Sequence, residues 1–381
     1  MAYDKVVDSA SLDSKLTQVA DAIRTKGNTS ADLQFPSGFI SAIQAIQTGT
    51  ELQIIVTVTS GATVTATKGS LSVSGTSVNN SCTLIVPEAG TWSVKATLNG
   101  QTSDTKSVSV ADIYAVSLFF ASSTLNNNDW ATIKAVSDAG QGANYWSIGD
   151  RKAVTLNGTV GHLTLSNYTT YAFIIGFNHN QELEGANRIH FQFAKTAISG
   201  GTDVCFCDSS YNSTTSTTGY FSMNSSATNS GGWKSSQMRT NICGTSLSSY
   251  SGTIIAVIPA ELRAVLKSVT KYTDNTGGGS TAASAVTATT DYFFLLSEYE
   301  VFGSISYANR NEPSKQAQYA YYSAGNSKIK YKHNGTSTAA SWLLRSLVMG
   351  NSSNSVLVYT DGTVQSYPAR FSLGFAPGFC V

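Results

Sequence analysis

Three acidic residues close to an apolar run are the first candidates for chemistry. In "DYFFLLSEYEVFGSISYANRNEP", Asp291 to Pro313, the carboxylates Glu298, Glu300 and Glu312 follow the stretch Tyr292 to Leu296. Paired carboxylates serve general acid–base catalysis when a second titrating group converges on the same reacting atom. No histidine or second acid stands in a recognisable motif with them. The near-continuous apolar run reads as a strand covered on both faces, and Glu298 and Glu300, two residues apart, share a face if that strand continues. A carboxylate at a strand end is most cheaply held by backbone N–H groups or by an arginine, and Arg239 in "SSQMRTN" and Arg345 in "WLLRS" are the candidate partners. The expected role is structural.

Histidine and cysteine add little chemistry. His162, His179, His190 and His333 show no HExxH or HxH spacing, so a metal hydrolase is not supported. His190 alternates with apolar neighbours in "RIHFQF" and reads as a satisfied sheet histidine. His333, in the basic and exposed-looking hairpin "KIKYKHNG", is the one expected to touch a ligand. Cys205 and Cys207 alternate like strand residues, with no second pair at zinc-site spacing. Together with Cys82, Cys243 and Cys380 they make an odd count in a long chain, which argues for buried free thiols over a secreted disulfide framework. No metal, no cofactor and no enzymatic activity are expected.

The elements that must position any site divide the chain into three zones. At 381 residues there is room for two or three domains. A net charge of +1 with 12% charged residues gives no field for a polyanion, so nucleic acid is not an expected partner. The opening "MAYDKVVDSASLDSKL" mixes acids and polar residues into every window, unlike a signal peptide or a membrane span. Synthesis in the cytosol without membrane insertion is expected.

Residues 1–49 read as helical. Leu12, Leu16, Val19 and Ile23 recur at steps of four and three, and a second helix starting near Pro36 or Ser37 carries Phe39, Ile40, Ile43 and Ile46 to a stop at Gly49. Helices this short are marginal alone, so their apolar faces need partners. They cap the next domain or, the favoured reading, form an attachment or oligomerising segment. Residues 50–111 change to a period of two, cut by Gly, Pro and Asn-Gly turns, and predict a small antiparallel β-sandwich with Leu84, Val86, Trp92, Val94, Ala96 and Leu98 inward. It carries no acid–base partner and reads as a spacer.

Residues 112–381 form the third zone. Trp130, Trp146, Trp233 and Trp342 sit in short apolar clusters and are expected to anchor a core of loops and short strands. Asp150, at the turn "IGDRK", is placed to accept from backbone donors. "PAELRAVLKSVTKYTD" predicts one helix, with Pro259 at its start and Leu262, Val265, Leu266 and Val269 on one side. The expected class is mainly β, with an α+β C-terminal domain.

Three stretches carry a resemblance. "PEAGTWSVKATLNGQTS" is similar to the immunoglobulin-like sandwiches of bacterial surface proteins and phage tail fibres. "LDSKLTQVADAIRTKGNTSADLQFPSGFISAIQAI" resembles the N-terminal segment of tail-associated proteins of phages that infect Gram-positive gut bacteria. The series "WATIKAVSDAGQGANYWSIGDRKAVTLNG", "RIHFQFAK", "GGWKSSQMRTNI", "IPAELRAVLKSVTKYTD", "FFLLSEYEVFG" and "SWLLRSLVMGNSSNSVLVYTDGTVQSYPARFSLGFAPGFCV" resembles a family with a C-type-lectin-like fold. That family is found in phage tail and bacterial surface proteins and is distantly similar to the variable proteins of diversity-generating retroelements. The resemblance implies a Glu-Pro-Asn or Gln-Pro-Asp triplet and a Trp-Asn-Asp triplet for calcium-dependent sugar binding. This sequence has "NEP" at Asn311 to Pro313 and "NDW" at Asn128 to Trp130, in the wrong order, and nothing in the spacing assembles the six to eight oxygens calcium takes. The oxidase relatives of the fold hold copper through paired cysteines, and Cys205 and Cys207 do not stand in a comparable C-terminal context.

What remains is a recognition surface. In "QAQYAYYSAGNSKIKYKHNGTSTAASW", Tyr319, Tyr321, Tyr322 and Tyr331 are interleaved with Asn326, Lys328, Lys330 and His333. Tyrosine among small polar residues is the composition of paratopes, because it offers large area at low entropic cost. In the retroelement proteins the fold presents its variable residues near the C-terminal end. Tyr321, Tyr322, Asn326, Tyr331 and His333 are therefore the expected ligand-binding residues, with Asn351 and Asn354 of "MGNSSNS" as outer members; the alternative is that half these tyrosines pack a hairpin. The resemblance implies a non-catalytic virion protein of the tail fibre or tip that binds a host cell-surface glycan or protein. It implies contact with other virion proteins through the N-terminal helices and a homotrimer. The alternative is a structural or decoration protein with no receptor role.

Overall fold

The computed structural model describes residues 9–27, 29–45, 51–214 and 217–381. The chain forms two compact units, Met1–Leu118 and Phe119–Val381, and strands dominate both sheets and core. The mainly-β expectation holds. No helix among the described residues is long and apolar enough to cross a membrane.

The first unit opens with two helices, α1 (Ser9–Gly27) and α2 (Ser37–Ala45). The apolar recurrence of α1 splits between two sides. Ala20 and Ile23, with Leu16, pack on Phe39 and Ala42 of α2, whereas Leu12, Val19, Ile40 and Ile43 are about half exposed, at 46–54%. The expectations for Ile46 and Gly49 fall outside the described residues.

Eight strands follow: β1 (Gln53–Thr57), β2 (Thr63–Lys68), β3 (Leu71–Thr76), β4 (Ser81–Ile85), β5 (Gly90–Leu98), β6 (Gln101–Thr102), β7 (Lys106–Val110) and β8 (Ile113–Ser117). One sheet runs β4-β1-β8, and the other runs β3-β2-β5 with β6 and β7 pairing β5. Leu84, Val86, Trp92, Val94 and Ala96 face inward at the two-residue period, and Leu98 is half-buried. Two details correct the sequence reading. β8 lies parallel to β1 with Gln53 opposite Ile113, so the sandwich is mixed, and it ends at Leu118 where the sequence suggested 111. A final strand on that side satisfies the β1 edge that a seven-stranded sandwich would leave open.

The second unit is built on a five-stranded sheet. Its strands β9 (Arg151–Val160), β10 (Leu163–Phe177) and β11 (Ile189–Lys195) run antiparallel, with β15 (Phe293–Phe294) and β21 (Gly378–Cys380) on the far side of β11, in the order β15-β21-β11-β10-β9. Smaller sheets hold β12 (Val204–Cys205) with β16 (Lys330–Lys332) and β17 (Gly335–Ala340), β13 (Val269–Asp274) with β14 (Val286–Asp291), and β18 (Trp342–Leu347) with β19 (Asn354–Val358) and β20 (Val364–Pro368). All four expected tryptophans are in one core. A helix over Trp130–Asp138 starts at Asp129, whose carboxylate accepts from Thr132 N at 2.7 Å. Asp150 accepts from Ser147 N at 2.9 Å, as its turn position predicts.

The helix expected over "PAELRAVLKSVTKYTD" is not formed. One turn, Ala260–Arg263, follows Pro259, and the chain then turns into β13. Val269, Thr270, Tyr272 and Thr273 are β-branched or aromatic, and pairing with β14 outweighs the helical spacing of the leucines. The strand expected to carry Glu298 and Glu300 also stops early. Ser297 caps a helix over Glu298–Phe302, accepting from Glu300 N while the Glu300 carboxylate accepts from Ser297 N at 2.9 Å, a capping box.

Candidate functional site

Two clusters of charged side chains lie in the second unit, one sealed and one open. The sealed cluster centres on Lys271, whose Nζ donates to Glu184 Oε2 at 2.6 Å, Glu300 Oε1 at 2.9 Å and the Tyr319 hydroxyl at 2.7 Å. Arg345 grips the same Glu300 through two nitrogens, at 2.5 and 2.8 Å. The geometry is bidentate. Burial alone would push the Glu300 carboxyl up, but the guanidinium and ammonium groups overcome it and hold Glu300 well below the usual carboxylate range. Burial pushes Glu184 up to about 7 against the pull of Lys271.

His179, Glu184 and Glu300 stand close enough to ligate a metal ion. The Lys271 ammonium binds both carboxylates, and two acids against Lys271 and Arg345 leave no net charge for a cation to neutralise. All of these groups are buried, His179 being the most exposed at 7%. The cluster is a structural ion network.

The other carboxylates of the opening stretch are equally committed. Glu298 accepts from the backbone N–H groups of Ser306, Tyr307 and Ala308, and Glu312 accepts from Thr273, Asp274 N and Ser346. Arg239 pairs with Asp291 at 2.6 Å, so Arg345 alone of the two arginines meets Glu300. Each of the three carboxylates is thus held by backbone, hydroxyl or cationic donors, and of the two expected arginine partners only Arg345 is among them.

The open cluster lines a polar cleft of about 650 Å3. Backbone pairing builds it. Lys195 closes β11, Gly200 and Gly201 turn the chain with φ of +61° and +70°, and Asp203 returns in a bridge opposite Lys195. Tyr331 N then donates to Asp203 O at 2.8 Å as β16 lies down beside β12. One wall is thus Lys195, Thr202, Asp203 and Tyr331; the rim adds Asn326, Ser327, Thr336 and Ser337, and Tyr321 closes the floor.

The side chains inside are ordered by a shared ion pair. Lys195 Nζ donates to Asp203 Oδ1 and to the Tyr321 hydroxyl at 2.9 Å, over the rings of Phe173 and Tyr321. Burial lowers the Lys195 pKa, and Asp203 partly restores it. Burial likewise raises the Tyr321 hydroxyl, which stays protonated and donates to Asp203 Oδ2 at 3.4 Å. Asn326 Nδ2 is held by Tyr321 O at 2.8 Å. Beneath the cleft, Lys330 is 1% exposed and its ammonium has no hydrogen-bond partner among the described residues. It lies 5.3 and 5.4 Å from the ring centres of Phe173 and Trp342, and burial lowers its pKa to about 8.

Of the seven expected ligand residues, the structure brings three to this cleft: Tyr321, Asn326 and Tyr331. Tyr322 is not on the surface; it is 2% exposed and its hydroxyl donates to Gln192 at 2.6 Å. His333 is also buried, with Nδ1 accepting from Cys207 N at 3.1 Å and its ring against Tyr168 and Phe206. The hairpin that carries it exists, but its inner face packs on the core, and Lys330 and His333 go inward. Asn351 and Asn354 lie elsewhere: their carbonyls accept from Asn229 Nδ2 and brace a loop. His190 is a sheet histidine, with Nδ1 near the Tyr319 hydroxyl and Cys380 Sγ, but its Nε2 has no partner. All five cysteines are buried and unpaired.

Lys195 and Asp203 were missed. The signal for them was a strand ending in Lys, a Gly-Gly turn and a returning "TDVCFC", which places the two charges opposite each other at the mouth of a hairpin. Residues 213–381 match the model of a family described as a domain of unknown function, DUF6273. The match includes Tyr321, Asn326 and Tyr331 and starts after Lys195 and Asp203. The chain matches no curated protein. It matches no solved structure.

Proposed function

We propose that this chain is a non-catalytic receptor-binding protein of a phage virion, which attaches to a host cell-surface glycan or protein through the cleft of its second unit. The observation that carries the reading is the cleft itself: tyrosine, asparagine and small hydroxyl residues rim a concavity whose walls are fixed by backbone ladders and a partly buried ion pair. Carboxylates that could do acid–base work are instead bound by arginine, lysine or backbone N–H groups. Labelled full-length protein should bind cells of a host strain saturably. Tyr331→Ala should weaken that binding at least tenfold, about 1.4 kcal/mol, with the circular dichroism spectrum unchanged. Equal binding by both proteins would remove the cleft from the interaction.

The N-terminal helices fit assembly with further copies of the same chain, in a trimer. Their own core is small, formed by Ala20, Ile23 and Phe39 with Leu16, Leu33 and Ala42, while Val19 and Ile43 are half exposed. Helices of this length gain from packing those faces on their symmetry mates. Val19→Asp puts a charge on a solvent-facing position and should leave the helix intact. Sedimentation should change from trimer to monomer; a trimer unaffected by Val19→Asp and by Ile43→Asp would place the contact elsewhere.

A further inference from the structure

We infer that the cleft is a calcium-independent subsite for a neutral sugar, with the Asp203 carboxylate and the Asn326 side chain meeting its hydroxyl groups. The inference rests on the receptor-binding reading above and narrows its ligand class.

Charge comes first. The cleft contains one carboxylate and one ammonium, Asp203 and Lys195, and they neutralise each other. An acidic ligand would set its anion against Asp203, and a cationic one would meet Lys195. Two further cations stand near without lining the cleft: the Lys330 ammonium is directed to the ring faces of Phe173 and Trp342, and the Arg151 guanidinium donates to Ala197 O and Gly200 O. A neutral ligand incurs neither repulsion.

Hydrogen-bonding capacity comes second. A carboxylate offers about four acceptor positions, and among the described residues Asp203 receives only Lys195 and a long contact from Tyr321. Asn326 donates one N–H of its amide to Tyr321 O, which leaves the second N–H and the side-chain carbonyl. Ser327, Thr336 and Ser337 add hydroxyls that donate or accept. A surface dense in both donors and acceptors, around a charged acceptor, matches a polyol. The half-exposed Tyr331 ring offers the flat apolar face on which a pyranose can lay its C–H side. A concavity of about 650 Å3 admits one or two sugar rings.

Calcium comes third. It takes about six to eight oxygens, with carboxylates prominent among them. This cleft has a single carboxylate, already paired with Lys195.

The test uses full-length protein bound to host cells. Periodate, which cleaves vicinal diols, should abolish binding to treated cells. EDTA should leave it unchanged. Galactose, glucose, N-acetylglucosamine and rhamnose are added as competitors beside galacturonate and glucuronate; at least one neutral sugar should displace the protein, and neither uronate should. Asp203→Asn should lose binding at least tenfold. Because that change leaves Lys195 unpaired, Asn326→Ala, at an exposed rim position, provides a second variant with the same expected loss and an intact fold. Competition by a uronate alone, or loss of binding in EDTA, overturns the inference. Periodate-resistant binding that still falls in Asn326→Ala means a protein receptor, which sinks the sugar and leaves the receptor reading standing. If no cell binding is seen at all, the receptor reading itself fails.

Discussion

Replacing Arg345 by Met should cost the second unit about 3–5 kcal/mol, the range found when one partner of a buried ion pair is removed. The reason is geometric. Arg345 and Glu300 are both fully buried, and Arg345 also donates to Leu295 O at 2.9 Å, so the substitution leaves an anion in a dry core with one cation, Lys271, shared between two carboxylates. At roughly 2–4 °C per kcal/mol for a unit of this size, the unfolding midpoint should fall by about 10 °C. Glu300→Gln keeps a side chain able to complete the capping box at Ser297 and should still destabilise, because Lys271 and Arg345 are then two cations against Glu184. The double variant should cost less than the two single ones added, since each removes the other's orphan. Calorimetry of the four proteins checks this. A fall of under 1 kcal/mol in Arg345→Met would mean that water enters the network, and the sealed cluster would become a second candidate site.

That network shows where the sequence could be read and where it could not. Arg345 was a foreseeable partner for a buried glutamate because an arginine flanked by apolar residues must find an anion. The strand periods of the sandwich and the tryptophan anchors were equally legible, since both follow from local patterning. Lys271 and Glu184 were not: they join Glu300 from 29 residues before it and from 87 residues before Lys271, and no spacing rule spans such separations. The cleft divides in the same way. Its tyrosine-rich side lies in one short interval, whereas Lys195 meets Tyr321 across 126 residues. Composition misled at the hairpin. Lys330 and His333 looked solvated because they are polar, yet ring faces and one backbone N–H make the buried side of β16 tolerable for both. The failed helix after Pro259 was a contest between leucine spacing and β-branched residues, and the β14 partner that decided it is not visible in the segment itself.

Acidification should destabilise the second unit beginning near pH 6.5, and three buried histidines, His179, His190 and His333, set the sign. His179 and His190 are buried with Nε2 unpartnered. Burial lowers His333 to about 4 and, with Lys271 nearby, His179 to about 3 and His190 well below its ordinary value. A group depressed in the folded state contributes stability above its unfolded pKa and loses it as pH falls, because only the unfolded chain takes up the proton. From pH 6.5 to 5.5 the three should together lose about 3 kcal/mol. Glu184 works the other way. Its folded pKa is raised to about 7 by burial, so its contribution is full below its unfolded value and lost as pH rises; over the same interval it returns about 1 kcal/mol. The net loss is about 2 kcal/mol. His179→Phe keeps the ring that stacks on Tyr319 at 3.7 Å and removes one of the three titrations, so its loss across that interval should be about half that of the native protein. Denaturant unfolding followed by tryptophan fluorescence, at pH 6.5 and 5.5, measures both slopes. The histidine ring resonances of the native protein provide the direct check, since His179 and His190 should keep neutral-imidazole shifts through pH 5. A native-state titration of either ring near 6.5 would show that it reaches water, and the wild-type slope would then need another source.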